Sequence, residues 1–231
     1  MIGYEIIKRM FDITASGVAL IILFPFFLII GLIVKLSSPG PALFRQVRIG
    51  RHGKPFTLVK FRTMVIHDQK TGTLVTARDD PRITSIGRLL RRTKLDELPE
   101  LWNVFVGDMS LVGYRPEVPQ YVEKYLTEWR RVLEARPGIT DPVTLQFIDE
   151  EAVLAGVVDR ERAYIEVILP IKMELILKYL ERRSLRLDFQ ILLKTVWAVT
   201  FGRFFNKPDD EYTQIARQRI EELTKNRNDS R

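Results

Sequence analysis

The most distinctive pattern in the chain is a long apolar stretch near its start. No charged residue occurs from Ile13 to Val34, and Lys35 closes the run. A straight helix needs about 20 such residues to cross the hydrocarbon core of a bilayer. Pro25 stands near the middle of the stretch, where it removes a backbone hydrogen bond and bends a helix. We therefore expect a proline-broken membrane helix within residues 1–36.

Two membrane geometries fit this stretch. Basic residues flank it on both sides: Lys8 and Arg9 before it, and Lys35, Arg45, Arg48 and Arg51 after it. The positive-inside rule consequently selects neither side. A bent, re-entrant helix that enters and leaves by the same cytoplasmic face satisfies both the proline and the charges. A single kinked span is the alternative, and the pattern leaves both open.

The rest of the chain predicts a small α/β domain rich in helices. A turn at residues 37–41 ends the membrane segment. The hydrophobic pattern then predicts a hairpin (42–47 and 56–61), a short helix (83–92), a helix (96–105), a strand (109–112), a helix (119–135), a strand (141–147) and helices at 163–183 and 185–205. Alternation along the hairpin is expected to place Lys60 and Arg62 on the same face. The last of these helices fits either a core helix or an interfacial, amphipathic membrane helix. We expect a cytoplasmic domain over residues 37–205 and a charged C-terminal tail over 206–231 that forms a frayed or solvent-exposed helix.

Composition narrows the chemistry. The net charge of +7 and the pI near 9.7 indicate an anionic partner: nucleic acid, an anionic membrane or phosphorylated substrates. The absence of cysteine excludes disulfides, thiolate zinc sites and a cysteine nucleophile. Only His52 and His67 are present, which argues against a histidine-based metal centre or a Ser-His-Asp triad. Carboxylates, lysines and arginines must carry any chemistry.

The candidate site is the adjacent acidic pair Asp96 and Glu97. Basic residues surround it in the sequence: Arg88, Arg91, Arg92 and Lys94 upstream, and Arg115 downstream. A tight loop at residues 113–116 is expected to bring Arg115 back to this pair. Because Pro99 is tolerated in a first helical turn, we expect a helix to begin near Asp96, with both acids ionised at its positive end. Carboxylates among arginines suit phosphate chemistry, either holding a cation or attacking phosphorus. Alternatively, Thr93 and Asp96 form a capping box and only start a helix.

Seven short motifs follow one another in order between residues 4 and 200. They are Lys8-Arg9 with Phe11-Asp12, Gln46-x-Arg48-x-Gly50, Lys60-Phe61-Arg62-Thr63-Met64, Leu95-Asp96-Glu97-Leu98 through Trp102-Asn103-Val104, Gly107-Asp108-Met109-Ser110, Val112-Gly113-Tyr114-Arg115-Pro116 and Arg136-Pro137-Gly138-Ile139-Thr140. Each motif alone is a weak signal. The ordered set resembles the monotopic bacterial sugar transferases, the polyprenyl-phosphate sugar-1-phosphate (phosphoglycosyl) transferases.

This resemblance implies both a location and a reaction. It implies a re-entrant helix in one leaflet of the bacterial inner membrane and an α/β domain on the cytoplasmic face. The implied reaction moves a sugar-1-phosphate from a UDP-sugar to undecaprenyl phosphate and releases UMP, at the first membrane step of surface polysaccharide or glycoconjugate synthesis. Asp96 is implied as the nucleophile that forms an aspartyl-phosphosugar, with Glu97 as its partner and Mg²⁺ bound by both.

The resemblance also assigns further residues to the substrates. For substrate phosphates they are Lys60, Arg62, Arg91, Arg115 and Arg136. For polyprenyl phosphate or the membrane they are Lys8, Arg9, Phe11, Asp12 and Pro25. Glu100, one helical turn after Asp96, is a candidate to face the metal. The expected partners are the UDP-sugar, undecaprenyl phosphate and the bilayer, without nucleic acid, and the resemblance allows a homodimer.

Three positions depart from the family pattern. Phe24 precedes Pro25 where a serine is usual, and Tyr114 replaces the first proline of the common Gly-Pro-Arg-Pro loop. Residues 141–144 read Asp-Pro-Val-Thr where many members continue Gly-Trp-x-Gln. That segment is where sugar or nucleotide selectivity would reside, so the sequence predicts no particular sugar.

Two other functions are weighed against this one. A membrane-anchored basic domain could bind nucleic acid or anionic lipid, but its basic residues are scattered and lack the interleaved aromatics of single-strand binders. A catalytically silent scaffold is the second alternative. The presence of Asp96, Glu97, Arg91 and Arg115 together argues against it.

Overall fold

The computed structural model describes residues 2–65, 75–76, 80–141, 143, 153–155, 157–200 and 211–229. The helices are α1 (Ile2–Ser37), α2 (Ser85–Thr93), α3 (Glu100–Val106), α4 (Pro119–Lys124), α5 (Leu126–Val132), α6 (Arg160–Ala163), α7 (Leu169–Arg182), α8 (Leu185–Thr200) and α9 (Glu211–Asp229). The strands are β1 (Leu43–Ile49), β2 (Pro55–Phe61), β3 (Ser110–Val112) and β4 (Gly138–Thr140). This confirms the predicted helix-rich α/β fold.

The first helix is long and two-sided. Its 36 residues correspond to about 54 Å, well beyond the ~30 Å hydrocarbon core of a bilayer. Asp12, Ser16 and Val34 are buried against the rest of the protein, whereas large apolar side chains such as Ile21 and Phe24 are exposed. The helix is long and apolar enough to cross a membrane, and Pro25 lies inside it. Its re-entrant, proline-broken geometry stays a prediction.

The predicted hairpin is confirmed, with longer strands. Strands β1 and β2 pair antiparallel, with Phe44 opposite Lys60. Helix α3 is fixed to β2 by Asn103, whose Nδ2 donates to the Thr57 carbonyl at 2.8 Å and whose Oδ1 accepts from the Val59 amide at 3.2 Å. The hairpin therefore sets the position of α3.

A second, parallel pair of strands supports the loop that carries Arg115. Strands β3 and β4 pair in parallel, with Ser110 opposite Gly138. A Cβ on Gly113 would lie 2.4 Å from the Arg136 carbonyl oxygen, so only glycine permits this approach. The strand predicted over residues 109–112 is thus confirmed. The Arg136–Thr140 motif contributes the strand β4.

The C-terminal helices form the largest core. Trp129, Ile168 and Leu169 are fully buried there, around a π-helical turn at Tyr164–Ile168 that joins α6 to α7. The single helix predicted over residues 119–135 is wrong, because the chain breaks into α4 and α5 at Tyr125.

The C-terminal tail differs from its prediction. Helix α9 confirms the helix expected there, but it buries Ala216 and Ile220 in the largest core, so the expected solvent exposure is wrong at these positions. The strand predicted over residues 141–147 lies largely outside the described residues, as do residues 201–205 of the helix predicted over 185–205.

Gly87 provides a test of how α2 is seated. A Cβ at this position would lie 1.9 Å from the Thr63 carbonyl oxygen. We expect Gly87→Ala to lower the free energy of unfolding by about 2–3 kcal/mol, because the helix must move away from the loop after β2. The control is Gly3→Ala, since a Cβ at this helical position meets nothing within 4 Å. Chemical denaturation measures both, and equal stabilities would contradict the close packing.

Candidate active site

The acidic pair lies in a 3₁₀ turn between two helices. Lys94 adopts a left-handed conformation (φ 57°) and ends α2, and the 3₁₀ turn Leu95–Glu97 follows before Pro99 leads into α3. The prediction that an α-helix begins at Asp96 is therefore wrong by about one turn. The expected stabilisation of both ionised acids by the dipole of that helix is therefore wrong, because α3 begins only at Glu100.

The capping-box alternative is also wrong. Thr93 Oγ1 donates to the carbonyl oxygens of Leu89 and Leu90 at 2.9 and 3.0 Å, within its own helix. No side chain caps the 3₁₀ turn or α3. The carboxylate of Asp96 is thus left without a role in starting a helix.

Three carboxylates are buried side by side. The exposed fractions of Asp96, Glu97 and Glu100 are 4%, 9% and 2%. Arg115 Nη2 donates to Glu97 Oε1 at 2.5 Å, so the predicted return of Arg115 to the acidic pair is confirmed. Buried charges persist only when they are paired or hydrogen-bonded. This ion pair therefore explains how Glu97 can stay charged when buried, and it leaves Asp96 and Glu100 to be explained.

The three acids differ in pKa because their neighbours differ. Burial raises the pKa of Asp96, and the charge of Glu97 adds to this against the opposing charges of Lys60, Lys94 and Arg91. Burial also acts to raise the pKa of Glu97, but the charges of Arg115, Lys94 and Lys60 outweigh it and hold that pKa far below its usual range. Glu97 is accordingly ionised at neutral pH.

Glu100 behaves in the opposite way. Burial, reinforced by the charge of Glu97, raises its pKa to about 8. At neutral pH it is therefore largely protonated and neutral. The site combines a fixed anion, a protonated acid and a carboxylate of raised pKa within one short stretch.

Two of these carboxylates have an oxygen available. Asp96 Oδ1 and Glu100 Oε1 are buried and have no hydrogen-bond partner. Buried polar atoms are nearly always satisfied, so an unsatisfied carboxylate oxygen in a cluster of cations indicates a position for an incoming group. Asp96 can consequently present a lone pair to an electrophile.

The predicted phosphate-binding residues fall into two groups. The charges of Lys60 and Arg91 act on Asp96, and Arg91 Nη1 also donates to Thr63 Oγ1 at 3.4 Å. Arg62 instead binds the end of α1, donating to the carbonyl oxygens of Val34, Ser38 and Pro39. The expectation that Lys60 and Arg62 share one face is thus wrong, and a phosphate contact by Arg62 stays a prediction.

Arg136 also makes contacts within the protein. Its Nε donates to the Gly107 carbonyl at 3.2 Å, and its Nη1 lies 3.9 Å from Glu5 Oε2 near the start of α1. These contacts place its side chain beside α1 and the turn after α3. Its predicted role in phosphate binding remains a prediction.

The residues predicted to meet the lipid lie along α1. Lys8 Nζ pairs with Asp188 Oδ2 at 2.6 Å, and Arg9 donates to the Val104 and Phe105 carbonyl oxygens. Asp12 Oδ1 accepts from the Leu111 amide at 3.1 Å. These three contacts fix α1 to α8, α3 and β3 respectively. By contrast, Phe11 and Pro25 are exposed.

The pKa of Glu100 gives a prediction. Its raised folded-state pKa means that folding opposes its ionisation, so this cost is absent below about pH 4.5, grows as the pH rises from there to about 8, and levels off above that. We expect Glu100→Gln to raise the free energy of unfolding by about 2–4 kcal/mol at pH 9 and to change it little at pH 5. Denaturation in EDTA at both values measures this, and a pH-independent effect would contradict the assignment.

Comparison with known proteins places this site in a family. The family described as bacterial sugar transferase matches residues 3–202. A Caulobacter vibrioides UDP-glucose:undecaprenyl-phosphate glucose-1-phosphate transferase is 41% identical over 142 residues, covering 60% of this chain and 53% of that protein. A Klebsiella pneumoniae protein of the same name is 34% identical over 205 residues, covering 87% and 41%.

A third relative has a different sugar in its name. The Salmonella typhimurium undecaprenyl-phosphate galactose phosphotransferase is 44% identical over 150 residues, which cover 58% of this chain and 31% of that protein. The chain thus spans about half or less of the length of these three relatives. The family match, in contrast, extends over most of the chain, including the acidic pair and Arg115. The protein therefore belongs to the bacterial sugar transferase family.

Proposed function

We propose that this protein transfers a sugar-1-phosphate from a UDP-sugar to undecaprenyl phosphate, with Asp96 as the nucleophile. The observation that carries the proposal is that the two adjacent acids, Asp96 and Glu97, differ in their partners. Glu97 is neutralised by Arg115, whereas the adjacent Asp96 keeps an oxygen without a partner. The names of the relatives, which state this reaction for glucose and galactose, support the same substrate class.

The reaction takes place in two balanced steps. In the first, Asp96 Oδ1 attacks the phosphorus that bears the sugar, the bond from that phosphorus to the bridging oxygen breaks, and UMP leaves with the electron pair. In the second, a phosphate oxygen of undecaprenyl phosphate attacks the same phosphorus, and the carboxylate of Asp96 is released. A covalent intermediate of this kind lets a soluble donor and a lipid acceptor use one pocket in turn.

The cations around the acids suit the charge of the substrates. A UDP-sugar brings a diphosphate to buried carboxylates, and this repulsion must be offset. Arg115, Lys60 and Arg91 are positioned to do so, since the charges of the first two act on Glu97 and those of Lys60 and Arg91 act on Asp96. In this proposal Arg115 orients the donor while it keeps Glu97 ionised.

The carboxylates also fit a magnesium ion. Among the described residues no group of three or more His, Asp or Glu side chains is arranged as a metal site. Mg²⁺, however, is commonly bound by one or two carboxylates together with substrate phosphates, and Asp96 has a free oxygen beside the anion of Glu97. We propose that these two residues hold Mg²⁺, which when bound neutralises charge on the diphosphate.

The lipid acceptor requires the enzyme to work at a membrane. The exposed apolar face of α1 supports insertion into the bilayer, and its basic flanks with Pro25 support the re-entrant geometry on the cytoplasmic face. An apolar cavity of about 370 Å³ lies between the start of α1 and α8, lined in part by Phe11, Phe189 and Leu192. Such a cavity suits an isoprenoid chain. We propose no nucleic-acid partner, and a homodimer remains a prediction.

A donor panel tests this function. Purified protein is mixed with Mg²⁺, undecaprenyl phosphate and each of several UDP-sugars, and UMP release is measured. We expect release with at least one donor, dependent on both the lipid phosphate and the cation. Tight binding to nucleic acid that weakens steeply with salt, without turnover of any donor, would favour the basic binding-domain alternative.

A further inference from the structure

A buried polar cluster lies behind the loop that carries Arg115. Glu117 is its centre: Oε1 accepts from Tyr164 Oη and lies 3.4 Å from Lys172 Nζ, and Oε2 lies 3.7 Å from Arg48 Nη1. Lys172 Nζ also donates to Tyr164 Oη at 3.0 Å. We call these four residues the Glu117 cluster. It joins β1, the loop after β3 and the C-terminal helices.

The cluster is connected to the active site through the backbone. Arg48 Nη1 donates to the Pro116 carbonyl oxygen at 3.0 Å, and the Ile49 amide donates to the Glu117 carbonyl oxygen at 3.0 Å. Strand β1 therefore holds two successive carbonyl groups of this loop. The residue immediately before them, Arg115, makes the ion pair with Glu97.

The other end of the same loop is also fixed. Tyr114 forms a bridge with Pro137, and the Gly138 amide donates to the Tyr114 carbonyl oxygen at 2.8 Å. The backbone is thus fixed on both sides of Arg115, by the bridge to Pro137 before it and by the Glu117 cluster after it. A loop pinned at both ends loses little entropy when its side chain binds a ligand.

Charge makes Glu117 the critical member. Arg48 lies close enough to Arg115 for the two like charges to act on each other, and the charge of Glu117 opposes this repulsion. Without the Glu117 carboxylate, Arg48 loses the acid that most strongly opposes the repulsion from Arg115. Loss of this buried ion-pair partner favours rearrangement of the loop.

We propose that the Glu117 cluster is a positioning device for Arg115, and that Glu117 acts on the reaction through Arg115 without touching the substrate. The inference rests on the proposed function for its catalytic consequence. The structural part of the proposal does not depend on the proposed function. It states that Glu117 holds segment 113–117 in place, and with it the Arg115–Glu97 ion pair, and it is supported by the observed contacts alone. This arrangement gives the Gln46-x-Arg48 motif a role, because Arg48 binds both Glu117 and the Pro116 carbonyl oxygen.

A double-mutant cycle tests the catalytic consequence. Glu117→Gln and Tyr164→Phe are each made in the wild type and in Arg115→Lys, and kcat and KM for UMP release are measured. In the wild type we expect kcat/KM to fall about tenfold or more for Glu117→Gln and less for Tyr164→Phe. In Arg115→Lys the further fall is below twofold. Glu174→Gln, which removes an exposed acid of α7, leaves kcat/KM unchanged in both backgrounds.

Hydrogen exchange, which needs no substrate, tests whether Glu117 holds this loop in place. We expect Glu117→Gln to speed amide exchange over residues 113–118 and 94–98 while α9 keeps its protection, and Glu174→Gln to change neither segment. Equal activity losses in both backgrounds, or unchanged exchange in the two segments, would overturn the proposal. If Arg115→Lys has no measurable turnover, the exchange result decides. If the wild type turns over no donor, the proposed function fails and exchange still tests the positioning.

Discussion

Asp96→Asn abolishes UMP release, with an expected fall in kcat of at least about 10⁴-fold. The amide keeps the shape of the side chain but is not a nucleophile, and no other described carboxylate can replace it. Glu97 is held in an ion pair, and Glu100 is protonated at neutral pH because its pKa is about 8. Initial rates of UMP release with the best donor measure the effect.

Measuring the stability of Asp96→Asn shows whether the variant still folds. Burial raises the pKa of Asp96, which means that its ionised form costs stability, so Asp96→Asn is expected to be at least as stable as the wild type. Loss of activity through unfolding is thereby distinguished from loss of the nucleophile. Glu174→Gln, an acid-to-amide change at an exposed position, should retain full activity. Wild-type rates in Asp96→Asn would show that another residue carries the chemistry.

Arg115→Met has the second-largest expected effect, because it removes both a substrate contact and the counterion of Glu97. We expect kcat/KM to fall about 10²–10³-fold. We also expect the free energy of unfolding at pH 7 to fall by about 1–3 kcal/mol, since the buried Glu97 loses its partner while part of Arg115 remains in contact with solvent. Steady-state kinetics and chemical denaturation measure the two losses separately.

Neutralising Glu97 separates these two losses. In Arg115→Met/Glu97→Gln the buried anion is gone, so most of the lost stability should return while activity stays low. Arg131→Met is the matched control, because its ion pair with Glu181 is exposed and should contribute little to stability or catalysis. A double variant that remains as unstable as Arg115→Met would show that the arginine stabilises the fold by packing rather than by charge.

Local signals in the sequence predicted local structure well. The hairpin follows from the alternation of its residues, and α2 lies close to the helix predicted over residues 83–92, with Thr84 Oγ1 capping it by accepting from the Gly87 amide. The return of Arg115 to the acidic pair follows from a tight Gly-Tyr-Arg-Pro loop after a short strand. In each case neighbouring residues determine the outcome.

Contacts between distant segments account for the errors. The strand pattern placed Arg62 beside Lys60, but β2 ends at Phe61, so alternation no longer applies and Arg62 binds the end of α1 instead. The 3₁₀ turn at Asp96 could not be told from a helical turn, since Pro99 is compatible with both. The contact of Glu117 with Lys172 joins residues that are 55 positions apart, and no pattern in the sequence predicts it.

The most direct test of the account is to look for the covalent intermediate. The protein is mixed with its UDP-sugar donor and Mg²⁺ without acceptor, and is followed by UMP quantification and intact-protein mass spectrometry. We predict a burst of about one UMP per enzyme and a mass increase equal to the sugar phosphate, on the peptide that contains Asp96, which undecaprenyl phosphate then removes. UMP release only in the presence of acceptor, with no adduct at any time, would contradict Asp96 as the nucleophile.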